Sequence, residues 1–235
     1  MIPAVTALPF DPIQTPEVVR AVLQDPFVVS APLLLPVAKV ALIAAAILPF
    51  IGVRWSGRIL LGYYAAILVI VAFLQNMANT EQFGYAWLVG NTVVQVIVAA
   101  WCLIDVATGR TILDRAGLRT GRLWLLAPMA LALLMPYRIE GGNVAPSIES
   151  APWNEAGVSY CMITPVVLGV LLIFSGGVDR RTLSVASFVG LGFGVMNLVV
   201  WFGLNPENWW MGVLHFPLVI ISALGLVESR LPRHR

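Results

Sequence analysis

The sequence predicts an all-α integral membrane protein with seven transmembrane helices, an N-terminus outside the cell and a C-terminus inside it. Three observations lead to this fold class. The 235 residues are 59% hydrophobic and 11% charged, with a mean hydropathy of +0.88, whereas soluble domains carry about 25% charged residues. The apolar residues form continuous runs, which favours helices over the alternating strands of a membrane barrel. The arginines concentrate in every second loop.

Residues 1–30 are expected to form a lead-in outside the cell. The first residues lack the positive charge and the small-residue cleavage site of a secretory signal peptide. A short interfacial helix is predicted from Thr15 to Asp25, because Thr15 is a capping residue, Pro16 suits the first helical position and Pro26 follows the end. An irregular proline-rich segment is the alternative.

A membrane-spanning helix needs about 20 mostly apolar residues, because the hydrocarbon core is about 30 Å thick. Seven segments within 31–227 approach this length and form the predicted membrane domain. The fourth is the weakest, because it is short and contains Pro128. The predicted spans are 31–53, 57–76, 84–105, 121–137, 160–176, 182–203 and 208–227.

The charges of the connecting segments predict the orientation of these spans. Eleven arginines fall in the loops after spans one, three and five and in the tail, whereas the other loops hold Arg20, Arg138 and eight acidic residues. Because positively charged loops remain in the cytoplasm, the N-terminus is predicted outside and the basic tail at 228–235 inside. The plasma membrane is the expected location. The net charge of +2 gives no indication of nucleic-acid binding.

Similar short motifs at the span ends raise the question of an internal repeat. Gly52 begins a turn that resembles the turn at Gly177, and Asn79 begins one that resembles the turn at Asn205. One single-residue insertion reconciles the two offsets, so spans 1–3 match spans 5–7 and span four becomes an inverting linker. Such residues are also common at membrane turns, so a 3+1+3 parallel repeat and a single seven-helix bundle both remain open.

Polar side chains inside the predicted spans are the candidate functional residues, because placing them in a bilayer is costly. The predicted topology puts them at a common depth, about 9–12 Å below the outer surface at ~1.5 Å of rise per residue. We therefore expect a ligand-binding cavity that opens to the outside and has mostly apolar walls. Its expected ligand-binding residues are Lys39, Gln75, Asn91, Gln95, Asn197, Trp201 and His215.

Each of these side chains also has a purely structural interpretation. Lys39 can extend to the membrane surface. The amides of Asn91, Gln95 and Asn197 can join neighbouring helices through hydrogen bonds. His215 can be a neutral imidazole bonded to a backbone carbonyl in the core. The common depth across several helices is the observation that favours a shared cavity.

Three classes of function follow from this interpretation. A transporter or binding protein for a small molecule, acting alone or as a homodimer, is favoured. A membrane enzyme acting on a lipid or isoprenoid-like substrate is the second, with His215 as general base and Lys39 or Arg138 holding an anionic head group. A structural or assembly subunit bound to a membrane partner is the third. No metal or cofactor is expected, because His215 is the single histidine within a span.

Overall fold

The computed structural model describes residues 15–24, 26–140 and 143–231, and most of these residues are helical. Residues 1–14 and Asp25 of the predicted lead-in, and residues 232–235 of the predicted tail, lie outside the described residues. Helix α1 coincides with the short helix predicted in the lead-in. The α-helices in the described part are α1 (Thr15–Gln24), α2 (Leu34–Ile47), α3 (Ser56–Leu74), α4 (Val89–Thr108), α5 (Leu126–Leu134), α6 (Tyr160–Ile173), α7 (Arg180–Leu198) and α8 (Trp209–Arg230).

Shorter elements connect these helices. The π-helix Val199–Leu204 continues α7 directly. Two antiparallel hairpins pair β1 (Met77–Thr80) with β2 (Gly84–Trp87) and β3 (Tyr137–Glu140) with β4 (Asn143–Pro146). Turns of 3-10 helix lie at Phe27–Ser30, Arg115–Gly117, Thr120–Leu125, Glu155–Gly157, Ser175–Gly177 and Pro206–Asn208.

Four helices of the described chain are long and apolar enough to cross a membrane. Three others are apolar but shorter: Leu34–Ile47, Thr120–Leu134 and Tyr160–Ile173. A helix of 14 residues extends about 21 Å, less than the ~30 Å hydrocarbon core. Because four of its helices are long and apolar enough to cross a bilayer, the chain is a helical membrane protein. The long helices are Ser56–Leu74, Val89–Thr108, Arg180–Leu204 and Pro206–Arg230.

The third predicted span begins later than the sequence indicated. Residues 84–87, which the prediction included in the helix, form β2, and α4 starts at Val89. The turn before β2 is closed locally, because the Thr80 hydroxyl donates to the Gly84 carbonyl at 2.9 Å and accepts from Phe83 N at 3.0 Å. Gly84 has a φ of 65°, a left-handed conformation that favours glycine.

The outward faces of the long helices are apolar. On α8 the exposed side chains include Phe216, Ile220, Leu224 and Val227, which follow one another at helical spacing along one stripe. A soluble protein rarely exposes a continuous apolar surface of this kind. These stripes therefore suit contact with lipid and agree with the membrane assignment.

The connections between helices gather at two ends of the bundle. At one end, here termed the acidic end, hydrogen bonds join three connections. Asn208 Oδ1, in the turn before α8, accepts from Val144 N of β4 at 2.8 Å, and Gln75 Oε1, just after α3, accepts from Tyr160 N at the start of α6 at 3.1 Å. Because the connections α3–α4, α5–α6 and α7–α8 all lie at this end, successive helices from α3 to α8 alternate in direction. The acidic end comprises the hairpin of β1 and β2, the paired strands β3 and β4, the loop 147–159 and the turn 205–208.

The opposite end, here termed the arginine end, is held by backbone hydrogen bonds between its loops. Ile112 N donates to the Gly177 carbonyl at 2.8 Å, and Arg119 N donates to the Ile173 carbonyl at 2.7 Å. The segments that meet there are 48–55, 109–119 and 174–179. The bundle thus has one end rich in arginine and one rich in acidic residues, as the loop charges predicted.

Helix α6 forms the centre of the bundle. Every one of its residues except Cys161 is buried. Glycines allow helices to pack closely. A Cβ atom on Gly169 of α6 would lie 2.6 Å from Met129 Cγ of α5, and one on Gly194 of α7 would lie 2.7 Å from Val219 Cγ2 of α8. The tight contact of α7 with α8 therefore depends on small residues, as in other membrane helix pairs.

A buried carboxylate joins α4 to α7 near the arginine end. The side chain of Asp105 is 2% exposed. Its Oδ1 accepts from Thr111 N at 2.9 Å, and its Oδ2 accepts from the hydroxyls of Thr111 and Thr182, both at 2.6 Å. Buried polar groups are stable in a fold when each has a hydrogen-bond partner, and here the carboxyl group satisfies three donors. Asp105 therefore fixes the end of α4 against the start of α7.

We expect Asp105→Ala to lower the free energy of unfolding by about 2–4 kcal/mol, because three buried donors lose their acceptor. Denaturation of the purified protein in mixed micelles measures this value. Asp114→Ala is the matched control, since Asp114 is exposed and accepts from Gly117 N; it should cost about 1 kcal/mol or less. Equal losses of unfolding free energy in the two variants would show that the buried hydrogen bonds of Asp105 stabilise the fold no more than the exposed one of Asp114.

Candidate functional site

A partly open cavity of about 280 Å³ lies at the acidic end of the bundle. Its lining comes from α4, α6, α7 with its π-helical continuation, and α8, from the residues that follow α3 and α5, from the turn at Phe27–Ser30, from β3 and from the loop 147–159. The structure brings six of the seven predicted ligand-binding residues around this one space, and Lys39 is the exception. The six are Gln75, Asn91, Gln95, Asn197, Trp201 and His215.

Side-chain amides build the wall formed by α3 and α4. Gln75 Nε2 donates to Ser159 Oγ at 3.3 Å while Gln75 Oε1 accepts from Tyr160 N. Asn76 Nδ2 donates to Gln95 Oε1 at 2.9 Å. Gln75 and Gln95 therefore hold neighbouring elements together as well as facing the cavity, so their structural interpretation applies alongside the functional one.

His215 presents one ring nitrogen for an additional partner. Its Nδ1 lies 2.7 Å from the Met211 carbonyl oxygen, which accepts hydrogen bonds only, so Nδ1 carries the proton. The neutral ring then has an unprotonated Nε2, and within the described part of the chain no hydrogen bond is made to it. The imidazole is buried and lines the cavity, so Nε2 can accept a hydrogen bond from a bound molecule.

Trp201 supplies an unpartnered donor at the same cavity. Its indole Nε1 is buried and has no hydrogen-bond partner among the described residues. Trp201 lies in the π-helix Val199–Leu204, a rare conformation that frequently occurs at functional sites. A buried donor without a partner costs free energy, and the cavity that Trp201 lines can hold the missing acceptor.

The two asparagines differ in how they are held. Asn197 Nδ2 donates to the Phe193 carbonyl at 2.8 Å and lies 3.7 Å from Cys161 Sγ, so this amide group is fixed against its own helix. Its Oδ1 receives no hydrogen bond from any described residue. Asn91 lies in the first turn of α4, where its side chain is half-buried at the cavity and makes no hydrogen bond within the described chain.

A carboxylate from the loop 147–159 also lines the cavity. Glu155 Oε1 accepts a hydrogen bond from the Tyr137 hydroxyl at 2.7 Å. Burial, and then the neighbouring charge of Glu155, raise the pKa of Tyr137 above its ordinary value. The phenol therefore remains neutral and continues to donate to Glu155, which leaves a negative charge at the cavity wall.

Lys39 lies behind that wall instead of in it. Its buried ammonium donates to Asn154 Oδ1 at 2.8 Å and to the Ala151 carbonyl. Asn154 Nδ2 in turn donates to the carbonyls of Leu134 and Met135, at 2.8 and 3.0 Å. Lys39 thus connects α2, through the loop 147–159, to the end of α5. The sequence prediction placed Lys39 at the cavity, but the loop folds over it and takes its hydrogen bonds.

The same hydrogen bonds stabilise an unfavourable backbone conformation. Met135, at the end of α5, has a φ of 43°, a left-handed value that costs a residue with a side chain about 1–2 kcal/mol. Its carbonyl is held by Asn154, and its side chain lines the cavity. The contact of the loop with α2 is equally close, since a Cβ atom on Gly157 would lie 2.7 Å from Lys39 Cα.

Several cavity residues were absent from the sequence prediction. Glu155 and Ser159 come from the loop 147–159, and no pattern in the sequence indicates which face of a loop will turn inward. Tyr160 and Phe193 belong to apolar spans in which aromatic residues are common, so composition does not distinguish them.

In the described ranges no three His, Cys, Asp or Glu side chains are grouped so that they can hold a metal ion. Cys161 lines the cavity and Cys102 lies in the core, and both are free thiols. No family model, curated protein or solved structure matches this chain. The chemistry of the cavity is therefore the basis for the functional assignment.

We expect Lys39→Met to accelerate amide hydrogen exchange in the loop 147–159 by about tenfold or more, because the loop loses two hydrogen bonds to α2. Mass spectrometry of peptic fragments measures the rates. Arg138→Met is the control, since Arg138 forms a half-exposed ion pair with Glu140 at 3.1 Å. Unchanged exchange in Lys39→Met would mean that Lys39 does not hold the loop.

Proposed function

We propose that this membrane protein binds a small molecule in the cavity at the acidic end, as a transporter or as a binding protein. The single observation that carries the proposal is the convergence of polar side chains from four long helices on one mostly apolar space. Small-molecule sites have this composition. Separate structural roles for each residue give no reason for them to meet at one place.

Hydrogen-bonding capacity that the fold leaves unused supports the proposal further. His215 Nε2 and Asn197 Oδ1 accept, Trp201 Nε1 donates, and none of these atoms has a partner among the described residues. A volume of about 280 Å³ lies near the lower end of the roughly 300–1,000 Å³ range of ligand pockets. The proposed ligand is therefore smaller than most drug molecules.

The two other classes of function receive less support. The enzyme hypothesis needs Lys39 or Arg138 beside His215 to hold an anionic head group, yet neither lines the cavity. Lys39 binds the loop, and Arg138 pairs with Glu140. The hypothesis of a structural subunit without a site does not explain why unpartnered hydrogen-bonding groups meet at one cavity.

Ligand binding is tested by a thermal-unfolding screen of small polar and charged solutes on the purified protein. For each solute that stabilises the wild type, we expect Trp201→Phe, which removes the indole N–H but keeps a ring, to weaken binding about tenfold. Asn91→Ala should weaken it similarly. Asn79→Ala is the control, because Asn79 is an exposed asparagine at the same end, outside the cavity.

Two results of that screen would contradict the proposal. One is that no solute stabilises the wild-type protein. The other is that the stabilising solutes act equally on Trp201→Phe, Asn91→Ala and Asn79→Ala.

We also propose that all seven apolar helices, including the three short ones, cross the plasma membrane with the acidic end outside. The hydrogen bond between Val144 and Asn208 supports this, because it joins the α5–α6 connection to the α7–α8 connection at one end. In this arrangement α2–α4 and α6–α8 run in matching directions, with α5 as the inverting helix, so the 3+1+3 repeat belongs to the same proposal.

Single cysteines in a variant without Cys102 and Cys161 test this topology. We expect Glu149→Cys and Glu207→Cys to react with a membrane-impermeant thiol reagent on intact cells, and Arg115→Cys to react only after the membrane is opened. All three side chains are exposed. If Glu149→Cys behaves like Arg115→Cys, α5 and α6 do not cross, and the seven-span proposal is wrong.

A further inference from the structure

The charge at the cavity wall is negative. Glu155 is the single acidic residue in the lining of the described chain, and no arginine or lysine lines it. Tyr137 donates to Glu155 but is neutral, so it does not cancel the charge. Lys39 attracts Glu155 through space, yet its hydrogen bonds go to Ala151 and Asn154, and no described ion pair reaches the carboxylate.

Aromatic rings surround the same space. Tyr137, Tyr160, Phe193 and Trp201 all line the cavity, and the rings of Tyr160 and Phe193 lie 4.8 Å apart between centroids. The face of an aromatic ring attracts a cation, and the attraction grows when the cation is removed from water. Aromatic walls beside one carboxylate are typical of sites that hold organic cations.

Two of the unused hydrogen-bonding atoms at the cavity are acceptors, beside the Trp201 indole N–H and the Tyr160 hydroxyl. His215 Nε2 and Asn197 Oδ1 both accept and have no donor in the described chain. A cationic ligand that also carries an O–H or N–H donor can satisfy them. The acidic end adds to the attraction, because Glu81, Glu149 and Glu207 are exposed there and acidic surfaces raise the local concentration of cations.

From these observations we propose that the ligand is a small alkylammonium ion, with its positive charge beside Glu155 and among the aromatic rings. The inference rests on the proposed function and names the chemical class of its ligand. A bare metal ion would leave most of the roughly 280 Å³ empty. An anion would meet the Glu155 carboxylate without a compensating positive side chain in the lining.

Two probes of matched shape test the proposal: choline, and its neutral carbon analogue 3,3-dimethylbutan-1-ol. Binding of each to the purified full-length protein is measured by calorimetry and by Trp fluorescence. We expect the wild type to bind choline at least about tenfold more tightly than the neutral analogue. Glu155→Gln should remove this preference, and Glu149→Gln, the same substitution at an exposed position of the same loop, should keep it.

The outcomes separate this inference from the proposed function. If both probes bind equally well to the wild type and both are weakened by Trp201→Phe, the cavity binds small molecules but does not select cations, and the inference is overturned alone. The inference is also overturned if neither probe binds, or if Glu149→Gln removes the preference as fully as Glu155→Gln. The solute screen then decides the proposed function independently.

Discussion

Burying a polar group in an apolar helical bundle costs free energy unless the group finds a hydrogen-bond partner, and most of this structure follows from that constraint. At the arginine end, three donors satisfy the buried carboxylate of Asp105. At the acidic end, Lys39 is satisfied by the loop that covers it. Among the described residues, the hydroxyls of Ser187 and Ser222 lie unpartnered at the contact of α7 with α8. Other unpartnered atoms, Trp201 Nε1, the Tyr160 hydroxyl and His215 Nε2, belong to residues that line the cavity.

The loop 147–159 connects the stability of the fold to the chemistry of the cavity. Asn154 accepts a hydrogen bond from the Lys39 ammonium and donates one to the Leu134 carbonyl at the end of α5. The following residue, Glu155, lines the cavity. The same short segment therefore connects α2 to the end of α5 and carries the negative charge. A cation that binds beside Glu155 would contact a carboxylate whose position depends on Lys39, although Lys39 itself does not line the cavity.

The sequence predicted the helices, the charge difference between the two ends and the depth of the polar residues. The expectation of a common depth selected His215, Asn197 and Asn91, and the structure places all three around one cavity. The same expectation included Lys39, which does not line the cavity, because its hydrogen-bond partners lie in a loop more than a hundred residues away. Glu155 was missed for the same reason, since the conformation of that loop depends on tertiary contacts and no periodic pattern encodes it.

Access to Cys161 from outside the cell tests the central claim most directly. Cys161 lines the cavity, whereas Cys102 is 1% exposed in the core and serves as the internal reference. A membrane-impermeant methanethiosulfonate applied to intact cells should modify Cys161 and leave Cys102 unmodified. Modification of Cys161 only from the inside, or equal protection of both thiols, would contradict a polar cavity that opens at the outer end of the bundle.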